Sequence, residues 1–384
     1  MTIPARHRSA LVPFGLSPNL RCFASQPGAR TAGTASQDAS WENTLVELEG
    51  EVGRSFGPAS ARHIAMTVLA ELTRSGVVES RHHGSLVGLS ADGLTVLSIG
   101  TPEEAVFGRS SNKPLQAVAM LTAGLILPPE LLVLTASSHS GERDHVVGVR
   151  QILDGALLTE DDLRNTPDWP LNEESRNAAI RDGVPKTPLQ QNCSGKHASM
   201  LATCRIADWP LDGYLDPNHP LQRHITATVE RLTGERVAHI GIDGCGAPAH
   251  ATSLVGLARA FRTLALASPD TAEGQVATAM RLHPHLLGGT GRDVSIFIEE
   301  IPGLIAKDGA EGVYAAATSD GRAVALKVED GAWRSRATII AAALQALGVD
   351  IRWAAERTHE VALGHGQPVG EIRAVGILEA ARRL

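Results

Sequence analysis

Two apolar runs, residues 312–317 and 322–328, are separated only by Thr318-Ser319-Asp320-Gly321. A turn of this kind between two such runs joins antiparallel neighbours, and it constrains the fold more than any other stretch. Ala91-Asp92-Gly93 stands in the same way before a run at 94–99, after runs at 68–80 and 84–89. Strands linked this tightly meander, because a parallel pair needs a crossover of roughly a dozen residues. Further strands are expected at 131–136 and 237–242, with a last edge strand at 369–375. Helices are expected from about 110 to 123, at 144–155 and 172–180, from His197 to about 208, and at 220–234, 254–267, 274–283 and 337–347. Strands in runs with helices gathered between them predict an α+β fold, helices packed on an antiparallel sheet.

Aromatics are only 3% of the 384 residues, so the core must come from Ala, Val, Leu and Ile. That scarcity argues against base stacking on aromatic platforms. A net charge of −7 without a basic stripe argues against a phosphate-tracking surface, and no nucleic-acid partner is expected. No apolar stretch approaches the roughly 20 residues that span a bilayer, so no membrane partner is expected either. Four cysteines, Cys22, Cys193, Cys204 and Cys245, make no disulfide framework in a chain this long. Functional thiols in a reduced, cytoplasmic setting are the expectation.

Residues 1–65 read as an N-terminal extension, and 66–384 as one domain. The extension carries Arg6, Arg8, Arg21 and Arg30 with no acidic residue before Asp38. That composition is compatible with a transit peptide, a disordered tail, or a start codon assigned too early, Met66 then being the initiator. A short helix over 45–62 is compatible with the same stretch.

The chemistry gathers in four places. Asn192-Cys193-Ser194-Gly195-Lys196-His197-Ala198 puts a thiol, a hydroxyl, an amine and an imidazole together where a loop enters a helix, and free backbone N–H groups point there as well. Taken alone, it suggests Cys193 as a nucleophile and His197 as its base. Joined to Ile242-Asp243-Gly244-Cys245-Gly246, it offers Cys193, His197, Cys245 and Asp243 as donors for zinc, although the spacing is not that of a zinc finger. Lys196 could bind a metal only if deprotonated. The plain alternative is a pair of thiols buried as small apolar groups.

Ser110 and Lys113 form an S-x-x-K pair on one face of a helix start, where a lysine amine can reach a serine that needs a base. The plain alternative is a capping serine beside a solvated lysine. Ser138-His139-Ser140-Gly141-Glu142 offers a hydroxyl donor or a second nucleophile, or else an N-cap cluster with Glu142 in the first turn. Lys327 alternates with Ala323 and Ala325, opposite Val324, Leu326 and Val328. It either protects a sheet edge or looks into a cleft across an alanine floor.

Arg109-Ser110-x-x-Lys113-Pro114, Ser138 to Glu142, Asn192 to His197, Gly241 to Gly246, and Lys307-Asp308-Gly309-Ala310-Glu311-Gly312-Val313 followed by Lys327 occur in this order. Together they resemble the rhizobial-type (class 3) L-asparaginases, from about residue 67 to the C-terminus. The resemblance implies a fold similar to that of serine β-lactamases and penicillin-binding proteins, and hydrolysis of L-asparagine by a homodimer. It implies two Ser–Lys tandems, Ser110–Lys113 and Ser138–Lys327. It implies a zinc site of Cys193, Lys196 and Cys245 beside the pocket, with His197 just outside it. Arg109 would hold the substrate α-carboxylate, Asp243 would stand near its amino group, and Asn192 would complete the substrate contacts. A penicillin-binding or β-lactamase-type hydrolase is the nearest alternative, but the S-D-N and K-T-G elements are missing as such. A non-catalytic zinc- or amino-acid-binding protein is the other.

Overall fold

The structure, a computed structural model, describes residues 67–381. The N-terminal extension, with its expected helix and Met66, lies outside the described residues.

β1 (Val68–Arg74) turns through Ser75 and Gly76, both at positive φ, into β2 (Val77–Leu89). Positive φ at both central residues belongs to a tight hairpin, and Ser-Gly announces it less clearly than Asn-Gly. That is why the runs 68–80 and 84–89 divide elsewhere than the sequence suggested. The remaining strands are β3 (Thr95–Ile99), β4 (Ala105–Phe107), β5 (His239–Ile242), β6 (Pro248–Ser253), β7 (Ile305–Asp308), β8 (Val313–Ala317), β9 (Ala323–Val328), β10 (Val361–Gly364) and β11 (Gln367–Ala374). Eight of them form one sheet in the order β10-β11-β1-β2-β9-β8-β7, with β3 also on β2; β4, β6 and β5 form a second. Every named pair is antiparallel, so the α+β expectation holds. Register shifts in the β1–β2, β2–β3 and β10–β11 pairs add local twist and curl the main sheet.

Two expectations are corrected. Residues 131–136 belong to a helix, Pro129–Ala136, buried from Leu132 to Ala136. An apolar run buried on all sides has no period to separate strand from helix, and here Pro129 in the first turn was the better signal. The 369–375 run lies in β11, which is not an edge: β10 covers its other side.

The alanines decide how the layers meet. Every residue of β8 is buried, and every residue of β9 except Lys327. Burial without alternation means both sheet faces are covered. The Leu254–Leu266 helix packs on β2, β8 and β9, and the Arg336–Ala346 helix on β1, β8, β9 and β11. Beside the sheet, the Lys113–Thr122 helix is buried from Lys113 to Met120. It packs against helices Pro129–Ala136, Ser194–Ile206, Pro220–Thr233 and Ala272–Leu282. Among the described residues no helix is long and apolar enough to cross a membrane.

The Ser194–Ile206 helix approaches Pro129–Ala136 so closely that a Cβ on Gly195 would stand 2.5 Å from the Leu134 carbonyl oxygen. Backbone cannot swing aside as a side-chain tip can. Gly195→Ala is therefore expected to destabilise the protein by about 1–3 kcal/mol, read as a lowered urea midpoint with an unchanged m-value.

Candidate active site

Ser110 sits in a single 3-10 turn, Arg109–Asn112, clamped between the two sheets. On one side the Gly108 N–H and Asn112 Nδ2 both donate to the His250 carbonyl of β6, at 3.3 and 3.0 Å. On the other, Ser111 Oγ donates to the Lys307 carbonyl of β7 at 3.0 Å. A Cβ on Gly309 would stand 2.9 Å from Ser111 Oγ and 3.0 Å from the Gly108 oxygen, so a glycine is needed for this docking. Arg109 takes φ of 48°, a conformation disfavoured for a side chain that branches at Cβ or carries bulk, and held only because both neighbours are fixed. The turn leaves Ser110 half-buried and open to a cavity of about 300 Å³.

Ser138 and Asn192 line the same cavity. Lys113 lies beneath it, 1% exposed, and its Nζ donates to the Ser137 carbonyl at 2.6 Å and to Ser138 Oγ at 3.1 Å. The lysine of the S-x-x-K pair thus engages the second serine directly. The expected Ser138–Lys327 pairing is not formed. Lys327 lies opposite Ser85 and Val313 in the sheet and is half-buried, and its Nζ donates to the carbonyl of Val328.

The lysine that the fold does bury near these groups is Lys307, fully enclosed on β7, with Nζ on both the Asp308 carbonyl (2.7 Å) and Asp308 Oδ1 (2.5 Å). Burial, with Lys113 and Arg292 nearby, brings its pKa down to about 8 despite Asp308. Asp308 Oδ2 also accepts from Arg292 Nη2 at 2.5 Å and Arg336 Nη2 at 2.9 Å. Burial would raise this carboxyl, but Lys307, Arg292 and Arg336 outweigh it and hold it well below the usual range. Trp333 lies over both guanidiniums, at 5.1 Å from Arg292 and 4.5 Å from Arg336. Asp308, Arg292, Arg336 and Trp333 all line the cavity, placing two fixed guanidiniums on its wall.

Arg109 meets Asp243, as two donors to one oxygen: Nε at 3.1 Å and Nη2 at 2.9 Å. Burial would raise Asp243, but Lys196 and Arg109 hold it low. The Asp243–Gly246 turn brings Cys245 against the start of the Ser194–Ile206 helix. Lys196 Nζ donates to Cys245 Sγ at 3.2 Å, and Cys193 Sγ to Asn192 Oδ1 at 3.3 Å. The two thiols influence each other: the neighbouring Cys193 and the charge of Lys196 bring Cys245 down to about 4, while Cys245 and burial push Cys193 up to about 12. Burial works against the Lys196 ammonium, but Cys245, Cys193 and Asp243 prevail and raise its pKa. His197 is buried neutral, with Nδ1 on the Tyr214 hydroxyl at 2.9 Å.

Among the described residues no group of three or more His, Cys, Asp and Glu side chains could hold a metal ion. Two converging thiols and an amine nevertheless match the donor chemistry of zinc, provided Lys196 loses its proton. When protonated, Lys196 places its positive charge directly beside the Cys245 sulfur.

The sequence had singled out neither Arg292, Arg336 nor Trp333, and had quoted Lys307 and Asp308 without giving them a role. A lysine inside the buried run Ile305-Ala306-Lys307 was a usable signal; the arginines carried none.

A buried lysine on a serine hydroxyl, with a second serine at the same small cavity, is an arrangement of the hydrolase type, sized for a small molecule. The family model described as L-asparaginase II matches residues 70–374. The chain belongs to this family, and is a hydrolase of the L-asparaginase kind. No individual curated protein matches it.

The two lysines are separated by one comparison. Lys307→Met is expected to lower kcat on asparagine by about 100-fold, because Asp308, and with it the arginines at the cavity wall, loses its seat. Lys327→Met is expected to stay within about threefold, as for a partly exposed charge outside the cavity. Steady-state ammonia release by the two purified variants checks this.

Proposed function

We propose that the protein hydrolyses the side-chain amide of L-asparagine to aspartate and ammonia through a Ser110 acyl-enzyme, working as a cytoplasmic homodimer with a β-lactamase-like arrangement of helix-borne serine against an antiparallel sheet. The observation that carries the reading is the single cavity lined by Ser110 and Ser138, with the Lys113 amine on Ser138. The two guanidiniums on its wall suit the substrate carboxylate, and the Arg109–Asp243 pair offers a charge for each end of an amino acid.

Lys113, whose Nζ lies on Ser137 O and Ser138 Oγ, is the base that takes up the Ser110 proton. Ser110 Oγ then bonds to the amide carbon, and free backbone N–H groups of the turn that opens the helix hold the oxyanion. The C–N bond breaks, and the nitrogen leaves as ammonia with the proton returned from Lys113. Water, deprotonated by the same amine, cleaves the ester to aspartate. Lys307, brought to about 8, keeps a second amine close to its titration point at the other side of Asp308.

Cys193, Cys245 and, once neutral, Lys196 would hold a zinc ion beside the pocket. When bound it supplies a fixed positive charge and a rigid wall for the substrate, while attack belongs to the serines.

Ser110→Ala is expected to lower kcat by about four orders of magnitude or more, whereas Ser138→Ala loses less; the reverse outcome would exchange their roles. Chelation, or Cys193→Ser, should raise KM for asparagine more than it lowers kcat. Complete loss of turnover at saturating asparagine in Cys193→Ser would return the thiol to the centre of the chemistry.

A further inference from the structure

Two loops meet below the cavity, residues 138–142 and 287–292, and they are stitched at every second position of the first. The Ser138 N–H donates to the Leu287 carbonyl at 3.1 Å, and Ser140 Oγ to the Gly288 carbonyl at 2.9 Å. The Glu142 carboxylate then takes both donors of Thr290, its N–H at 2.8 Å and its hydroxyl at 2.7 Å. Two residues on, Arg292 returns to the first loop: Nη1 donates to the Ser138 carbonyl at 3.4 Å, and Nη2 to Asp308.

The second loop has little stiffness of its own. Gly289 has φ of 133° and Gly291 of 71°, and a Cβ on Gly289 would run into Ser140 and Glu142. Its middle is fixed from outside, at Thr290. Glu142 is well placed for this, because it is also the N-cap of the Arg143–Gly155 helix, in a reciprocal capping box with His145. Capping alone would not require both carboxylate oxygens to reach Thr290. The Thr290 bonds outweigh the effect of burial and hold the Glu142 carboxyl ionised, able to accept from both donors. Glu142 itself is not part of the cavity lining; Arg292 is.

We propose that Glu142 is a positioning residue for the amide hydrolysis put forward above: by latching Thr290 it seats Arg292 against the Ser138 carbonyl and Asp308, and so fixes the second serine at the cavity. The inference rests on that reading of the reaction. Arg292 ties the carbonyl of Ser138 while Lys113 ties its hydroxyl, so a slack latch misplaces the guanidinium and the second serine together. Misplacement of this kind by about 1 Å costs about 100-fold in rate. It acts on the chemical step, since a flexible loop can still close on bound substrate.

The test compares Glu142→Ala, Glu142→Gln and Thr290→Val by steady-state ammonia release and by hydrogen exchange of the peptide covering residues 286–293. Glu142→Ala should lower kcat by about 10- to 100-fold with KM moving less than about threefold, and should lose exchange protection in that peptide. Glu142→Gln, whose amide can still accept from the Thr290 N–H and donate to its hydroxyl, should restore both. Should Glu142→Ala fail to fold for want of the helix cap, Thr290→Val leaves that cap in place and should lower kcat by about threefold or more at unchanged KM. The proposal is overturned if folded Glu142→Ala keeps its exchange protection, if the loop loosens with kcat unchanged, or if Glu142→Gln is as impaired as Glu142→Ala. A wild type that released no ammonia from asparagine would defeat the reading of the reaction; the exchange data would still decide whether Glu142 holds the loop.

Discussion

A single buried carboxylate holds the working part of this protein together. Asp308 is 3% exposed and takes Lys307, Arg292 and Arg336 on its two oxygens. Removing three cations from water would be prohibitive without a counter-charge, and one carboxylate does not neutralise all three. Asp293, paired to Arg336, balances one more. Glu311 also lines the cavity, so the charges there nearly cancel; what the fold supplies is two guanidiniums, Arg292 and Arg336, fixed at the wall where a substrate carboxylate can meet them.

The site exists because three separately stabilised pieces meet there. The buried helix Lys113–Thr122 brings a lysine to the bottom of the cavity; the edge of the main sheet brings Lys307 and Asp308; the small sheet, through His250 and Asp243, holds the serine turn and its arginine. None of the three carries the chemistry alone. The thiol segment adds a fourth element of the same kind, since Cys193 and Lys196 belong to a helix end and Cys245 to a turn after β5. Lys196 stands directly on the buried Cys245 sulfur, which favours the ionised thiol there.

Much of the fold was legible because turns and periodic runs are local. Thr318-Ser319-Asp320-Gly321 gave the β8–β9 hairpin, and Pro220 with Gly234 bounded a helix to within a residue. What failed was the reading of runs with no period: the apolar helix at Pro129–Ala136, and β6, Pro248–Ser253, whose six residues are all buried and look like neither pattern. In the site, residues grouped by sequence motif were found near one another, whereas partnerships between distant residues were not all inferred correctly. Lys327 alternates with alanines and Lys307 directly follows one, in neighbouring parts of one motif-bearing region. Which amine is enclosed is decided by what packs on each face, the serine turn and the arginines around Asp308 closing over Lys307. Arg292 and Arg336 are invisible in sequence for a similar reason: an arginine at a helix start is ordinary, and only its burial against Asp308 makes it otherwise.

The docking of the serine turn on β7 has a consequence of another kind. β7 is the last strand of the main sheet, and an open strand edge displays unpaired amides and carbonyls that invite a strand from another molecule. The Lys307 carbonyl, however, is one that faces β8, so the Ser111 hydroxyl adds to a ladder position and does not cap the open edge. What the docking does is build the Ser110 turn onto the strand that also carries Lys307 and Asp308, with Gly309 allowing the close approach. A change on this strand therefore moves the reactive hydroxyl and the charged wall together, and the two cannot be adjusted independently.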